Sequence, residues 1–190
     1  MSESGRSVAV RLVLILLVCL SITPAAASRS VPARGSIEVA FSPADDPEAL
    51  LIEVIGAARS LIRVHAYVFT SRAIAGALVQ AHRRGVDVEV LADAQMNARG
   101  KGNAIPTLLA AGIPVAFETD YAAAHNKVLI VDPDEAGCTV VTGSYNFTWS
   151  ARNRNAENVL VLRENCPLVA IYLENWHRHR AAATAIERLP

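Results

Sequence analysis

The sequence predicts an α/β fold: a mixed β-sheet flanked by helices on both faces, in a single domain. Three observations carry this. From Ser36 to Glu118, short apolar and β-branched runs alternate with stretches of helical spacing, a rhythm that builds layered sheets with parallel pairings. Beyond Tyr121, two apolar runs are joined only by the turn-forming "PDEAG", which is hairpin spacing and makes the sheet mixed. The 190 residues are enough for one domain with a sizeable core and few for two.

The elements follow in order. "SIEVAFS" alternates apolar and polar residues as a strand does, and "DPEALLIEVIGAARS" has helical spacing, with Asp45 or Asp46 as N-cap before Pro47. "LIRVHAYVF" is a β-branched and aromatic strand, and "SRAIAGALVQAHRRG" a helix that Gly85 can end. "VDVEVLAD" is a strand, "NAIPTLLAAG" a short helix closed by Gly112, and "IPVAFE" a strand. "KVLIVD" and "CTVVTGS" form the hairpin. "TWSARNRN" is helical, "ENVLVLR" a strand, and "PLVAIYLENWHRHR" a closing amphipathic helix.

Before all of these, Arg6 and Arg11 precede the apolar "LVLILLVCL", then Pro24 and "AAAS". That is the three-part pattern of a secretory signal peptide, too short in its apolar core to span a bilayer, with cleavage expected after Ala27. The reading is a leader over residues 1–27 and a domain over 28–190, exported to the periplasm or secreted. Cys19 leaves with the leader, so Cys138 and Cys166 remain as an even pair in an oxidising compartment and are expected to form a disulfide between two strand ends. Formal net charge is +0; removing Arg6, Arg11 and Glu3 leaves about −1. Bulk charge therefore makes no case for a nucleic-acid partner, and any such case rests on local arrangement.

The chemistry concentrates in two short stretches. In "HNKVLIVD", His125 and Lys127 are two apart and share a strand face, whereas Asp132 points the other way and suits the fixing of the strand end. Taken alone, the His-x-Lys spacing favours a solvated strand mouth. In "TGSYNFT", Ser144 and Asn146 are again two apart, and Gly143 permits close backbone approach. If the two strands are neighbours, an imidazole, an ammonium, a hydroxyl and an amide converge on one sheet edge, a set suited to phosphate. Glu157, opening "ENVLVLR", either holds one imidazole nitrogen or is an exposed strand-start acid.

Together, "HNKVLIVD" and "GSYNFT" resemble the H-x-K-x-x-x-x-D and G-S-x-N elements of the phospholipase D superfamily, and most of the chain after the leader is similar to its small bacterial metal-independent nucleases. The link from Asp132 to Gly143 is longer than that pattern usually has, which touches the hairpin tip rather than the His-Lys pair. The resemblance implies that His125 is a nucleophile forming a phosphohistidine, with a second His125 from a partner copy protonating the leaving oxygen. It also implies that Lys127 and Asn146 bind phosphoryl oxygens, that Ser144 assists, and that Glu157 orients the histidine. No metal and no cofactor is expected.

Other residues carry weaker readings. Arg99 and Lys101 in "ARGKGN" form a loop that can contact substrate, and Arg152 and Arg154 stand near the expected site. His65 reads as a satisfied buried histidine, and His82 as a helix-end residue. His177 and His179, two apart on a helix, do not share a face and so make an improbable metal pair. The expected protein is an exported phosphodiesterase working as a homodimer, a nonspecific endonuclease on DNA and conceivably RNA. The rivals are a phospholipase D acting on membrane lipid head groups and a non-catalytic nucleic-acid binder.

Overall fold

The computed structural model describes residues 28–99 and 102–189, so the expected leader, residues 1–27, lies outside the described residues. In chain order the elements are β1 (Ser36–Ser42), α1 (Pro47–Ala57), β2 (Leu61–Ala66), α2 (Arg72–Arg83), β3 (Asp87–Asp93), α3 (Ala94–Asn97), α4 (Ile105–Ala110), β4 (Val115–Glu118), β5 (Lys127–Val131), β6 (Thr139–Gly143), α5 (Trp149–Asn153), β7 (Glu157–Arg163), α6 (Cys166–Ala182) and β8 (Thr184–Ile186). Eight strands make one sheet in the order β1-β7-β6-β5-β2-β3-β4-β8. β2–β3 and β3–β4 run parallel; the other neighbours run antiparallel, so the sheet is mixed as the rhythm of the sequence requires.

Strand polarity sorts the core into two layers. Along β5, Leu129 and Val131 join a cluster with Leu51, Val54 and Ile55 of α1 and Ile74 and Leu78 of α2. The alternating residues Val128 and Ile130 pack instead with Val169 and Trp176 of α6. A strand covered on both sides has no polar face, which is why "KVLIV" reads as an unbroken apolar run after its lysine. The Trp176 indole, 1% exposed, donates to Val64 O at 3.0 Å and ties α6 to the sheet centre.

Local chemistry sets the boundaries. Asp46, not Asp45, caps α1 by accepting from Ala49 N, with Pro47 at the first turn. Ser71 caps α2 through Ile74 N, and Gly85 takes φ 94° just after it. The strand expected over "LIRVHAYVF" stops at Ala66: Tyr67 and Val68 bend away, and Phe69 makes an isolated parallel bridge to Phe147. The one-turn α3 and the short edge strand β8 carry too few residues for periodicity to reveal them. Cys138, just before β6, is disulfide-bonded to Cys166, which follows the end of β7 and opens α6, so the expected bridge is present.

Asp132 closes β5 in a left-handed conformation, φ 46°. Its carboxylate accepts from Arg59 N (2.8 Å), Ser60 N (2.9 Å), Ser60 Oγ (2.9 Å) and Leu61 N (2.9 Å), so it fixes the start of β2. Burial alone would raise this carboxyl; the backbone donors of Leu61, Ser60 and Arg59 outweigh it and hold the group below 3.8. The depressed value stabilises the fold above pH 3.8, and that contribution is lost as pH falls through the folded value. Asp132→Ala should cost roughly 2–4 kcal/mol by leaving buried donors unpaired. Urea melts across the acid range should show a shallower decline of stability for the variant than for wild type.

Candidate active site

The segment after β4 delivers His125 to the mouth of β5, where it is exposed while Lys127 is buried. Lys127 Nζ donates to His125 O at 2.7 Å and lies 3.0 Å from His125 Nδ1. With Nδ1 engaged, Nε2 is the ring edge left for a substrate. Tyr67, where β2 bends out of the sheet, backs both groups. Its ring centroid is 4.2 Å from that of His125, and Lys127 Nζ stands 4.6 Å over its face. Burial lowers the Lys127 pKa, and the negative charge of Glu157 opposes that shift. The acid that opens β7 therefore acts on the ammonium at the mouth of β5.

The second half of the site is built across β6 and β7. Gly143 is required by contact: a Cβ there would stand 2.2 Å from Asn158 O. Ser144 Oγ donates to Glu157 Oε2 at 2.6 Å and accepts from Asn158 N at 3.1 Å, while Asn155 Nδ2 donates to Glu157 Oε1 at 2.9 Å. Both oxygens of Glu157 are thus engaged within its own hairpin. The group on His125 Nδ1 is Lys127, so within the chain Glu157 does not orient the histidine as expected. Asn146 sits between the buried Tyr145 and Phe147, and its Oδ1 is buried with no hydrogen-bond partner. Phe147 O accepts from Thr70 N and Ser71 N, which latches the Ser144–Asn146 segment onto the chain leaving Tyr67.

Two residues that sequence reasoning passed over hold this assembly. Asp93, 1% exposed, caps α3 through Met96 N and accepts from Ala124 N at 2.8 Å, one residue before His125. Asn97, also 1% exposed, donates to Tyr67 O at 2.7 Å and accepts from Phe69 N at 3.0 Å. The polar end of "VDVEVLAD" was the available signal for Asp93; a buried polar residue at a strand's end needs partners. Nothing in the sequence marked Asn97.

The remaining expected contacts are dispersed. Arg99 is exposed in the bend after α3, and Lys101 lies outside the described residues. Arg152 is committed to Asp46 (2.5 Å) and Glu48 (2.7 Å), so its charge is already matched. Arg154 is exposed beyond α5, and Asp132 lies at the opposite end of β5 from His125. A cavity of about 410 Å³ sits at that far end, lined by Asp132, Glu135 and Arg163, and draws none of its lining from the His125–Lys127 group. With one imidazole, one ammonium and one carboxylate, the His125 group offers a phosphate far better recognition than a metal ion.

Comparison with known proteins agrees with this geometry. A family model described as cardiolipin synthase, PLD-like domain, matches residues 51–179. A protein named phospholipase D from Rickettsia bellii is 37% identical over 148 residues, covering 78% of this chain and 71% of the relative. A mitochondrial cardiolipin hydrolase from Mus musculus is 35% identical over 128 residues, 67% of this chain and 55% of that protein. The crystal structure of Nuc from Salmonella typhimurium, a phospholipase D family member, superposes with a TM-score of 0.74 at 34% identity, over 80% of this chain and 99% of that one.

A buried ammonium that must stay charged gives a defined pH signature. Lys127 loses its proton below the ordinary lysine value of 10.5, so kcat/KM for phosphodiester hydrolysis should fall on an alkaline limb below that value. Lys127→Arg should displace the limb upward, and Lys127→Met should lose about 10²–10³-fold activity. A pH–rate profile of the three proteins checks both.

Proposed function

The chain belongs to the phospholipase D superfamily and is a phosphodiesterase of that family, and from this premise we propose that it is an exported, metal-independent endonuclease acting as a homodimer on DNA. The observation that carries the chemistry is the buried Lys127 ammonium, held against His125 and within the field of Glu157. Attack by a His125 ring nitrogen on phosphorus forms a P–N bond as the P–O bond to the leaving oxygen breaks. Lys127 and the Asn146 amide face the phosphoryl oxygens, stabilising charge that a metal ion would otherwise meet. The leaving alkoxide takes its proton from His125 of a second copy. Water then attacks phosphorus, gives its proton back to that second imidazole, and releases the first as the P–N bond breaks.

Nucleic acid is favoured by a concavity beside the Tyr67–Ser71 passage, which takes none of its lining from the His125–Lys127 group. Exposed Trp149, three residues past Asn146, and Arg72 line one open concavity of about 440 Å³ together with Thr70 and Gly102. An aromatic face beside a guanidinium suits a stacked base and its phosphate. The homodimer is supported by an apolar strip: Ile37 (64% exposed), Val39 (47%) and Phe41 (53%) line one face of the outer strand β1. In register, Phe41 is opposite Asn158 and Ser42 opposite Glu157, so the strip runs up to the Ser144–Glu157 pair and can seat a second chain beside the site. Export is supported by the Cys138–Cys166 disulfide and the leader pattern; among the described residues no helix is long and apolar enough to cross a membrane.

A second reading, hydrolysis of phospholipid head groups, is favoured by the names of the relatives and by the commitment of Arg152 to Asp46 and Glu48, which leaves the surround less basic. Supercoiled-plasmid nicking set against phosphatidylcholine and cardiolipin hydrolysis decides between the two. Nicking should persist in EDTA and disappear in His125→Ala; loss in EDTA with recovery on adding a divalent ion would remove the metal-free mechanism.

The shared site has its own test. A purified heterodimer of wild type and His125→Ala keeps one attacking imidazole and lacks the proton donor. It should lose most activity on DNA, whose alkoxide needs that proton, and retain proportionately more on bis-nitrophenyl phosphate. Half of wild-type activity on both substrates would mean independent sites.

A further inference from the structure

On the α6 face of the sheet, from residues outside both motifs, three donor side chains converge. His65 comes from β2, Glu118 from the end of β4, and His179 from the last turns of α6. Glu118 Oε2 is 2.5 Å from His65 Nε2, and Glu118 Oε1 is 2.6 Å from His179 Nδ1. The imidazoles meet edge to face with centroids 4.9 Å apart, and the three ligand atoms all lie within 4.8 Å of one another. We propose that His65, Glu118 and His179 form a binding site for one divalent transition-metal ion of the zinc class.

The donor set is the first argument. Two imidazoles and one carboxylate are the ligands of open zinc sites, which keep a further position for water, whereas magnesium and calcium prefer oxygen alone. Placement is the second. The His65 and Glu118 side chains are each 2% exposed, inside the layer that holds Leu91, Ala116, Val128 and Trp176. A carboxylate there needs positive charge, and among the described residues its hydrogen-bond and ion-pair partners are the two histidines, with no arginine or lysine. A bound dication supplies that charge in place of the protons now lying between the rings and the carboxylate.

Geometry allows the exchange. Metal–ligand arms of about 2.0–2.1 Å put neighbouring donors roughly 3.3 Å apart. The present contacts of 2.5 and 2.6 Å are shorter than this and the 4.8 Å outer limit is longer, so shifts of roughly an ångström suffice. Solvent reaches the group on the His179 side, where that side chain is 13% exposed and the Tyr121 ring stacks on it at 5.1 Å. No local motif announces the set, because His65 and His179 stand 53 and 61 residues from Glu118. The expectation that the histidines on α6 make an improbable metal pair applies to His177 with His179; the residues that join His179 here, His65 and Glu118, lie on the sheet.

This site is independent of the phosphodiesterase reading, since it uses none of the residues at the mouth of β5. Its test uses the purified chain, stripped with a chelator and dialysed against Zn²⁺ or Co²⁺. The expected result is one metal per chain by elemental analysis, visible d–d absorption of a low-coordinate cobalt(II) form, and a thermal midpoint several degrees above that of the stripped protein. His179→Ala and Glu118→Gln, each checked for folding by circular dichroism, should bind none, while nicking at ambient temperature stays the same with and without the ion. A wild type that takes up no metal and gives no cobalt absorption overturns the proposal. So does equal uptake by wild type and a folded variant.

Discussion

A single strand covered on both faces governs the rest of the molecule. β5 is buried from Lys127 to Val131 between antiparallel neighbours, so its charged residues can surface only at its two ends. Each end does a different task. At one, Asp132 gathers the backbone donors that begin β2, setting the register of the central pair. At the other, Lys127 is held buried beside His125. Because the strand is rigid and short, the chemistry at one end inherits the precision of the anchor at the other.

The site's geometry owes as much to backbone latches as to reactive groups. Asp93 fixes the residue before His125, and Asn97 fixes the carbonyl of Tyr67 that turns its ring under the imidazole and the ammonium. Phe147 carbonyl contacts hold the Asn146 segment to the same piece of chain. The two motifs flank the β5–β6 hairpin, and both are fastened to the short passage from Tyr67 to Ser71, which is distant from them in sequence. That passage leaves the sheet early, which is what opens room for the histidine.

Much of this was legible from the residues, and the rest was hidden for definite reasons. Apolar alternation located β1 to β7 and the long helices, because burial on a period of two or of about 3.6 leaves a visible pattern. β2 was read too long, since Tyr67, Val68 and Phe69 have strand composition and only tertiary hydrogen bonds pull them away. The His-Lys and Ser-Asn spacings pointed to one sheet edge, but spacing could not say that Glu157 would be occupied by Ser144 and Asn155. Arg152 misled for a related reason: a guanidinium in a basic-looking loop is unpaired only until the fold brings Asp46 and Glu48 to it. Asn97 and the His65–Glu118–His179 group were invisible because their partners are far away in the chain.

The outer strand β1 also bears on how the chain must be handled by the cell. It is seven residues long, contains no proline, has one acidic side chain, Glu38, and turns Ile37, Val39 and Phe41 to the surface. Among the described residues no further strand pairs with its outer edge, which is a template for any other extended chain, and such segments are the ones that seed cross-β deposits when left bare. The opposite outer strand, β8, has only three residues and offers little to pair with. Solubility is therefore an asymmetric property of this sheet.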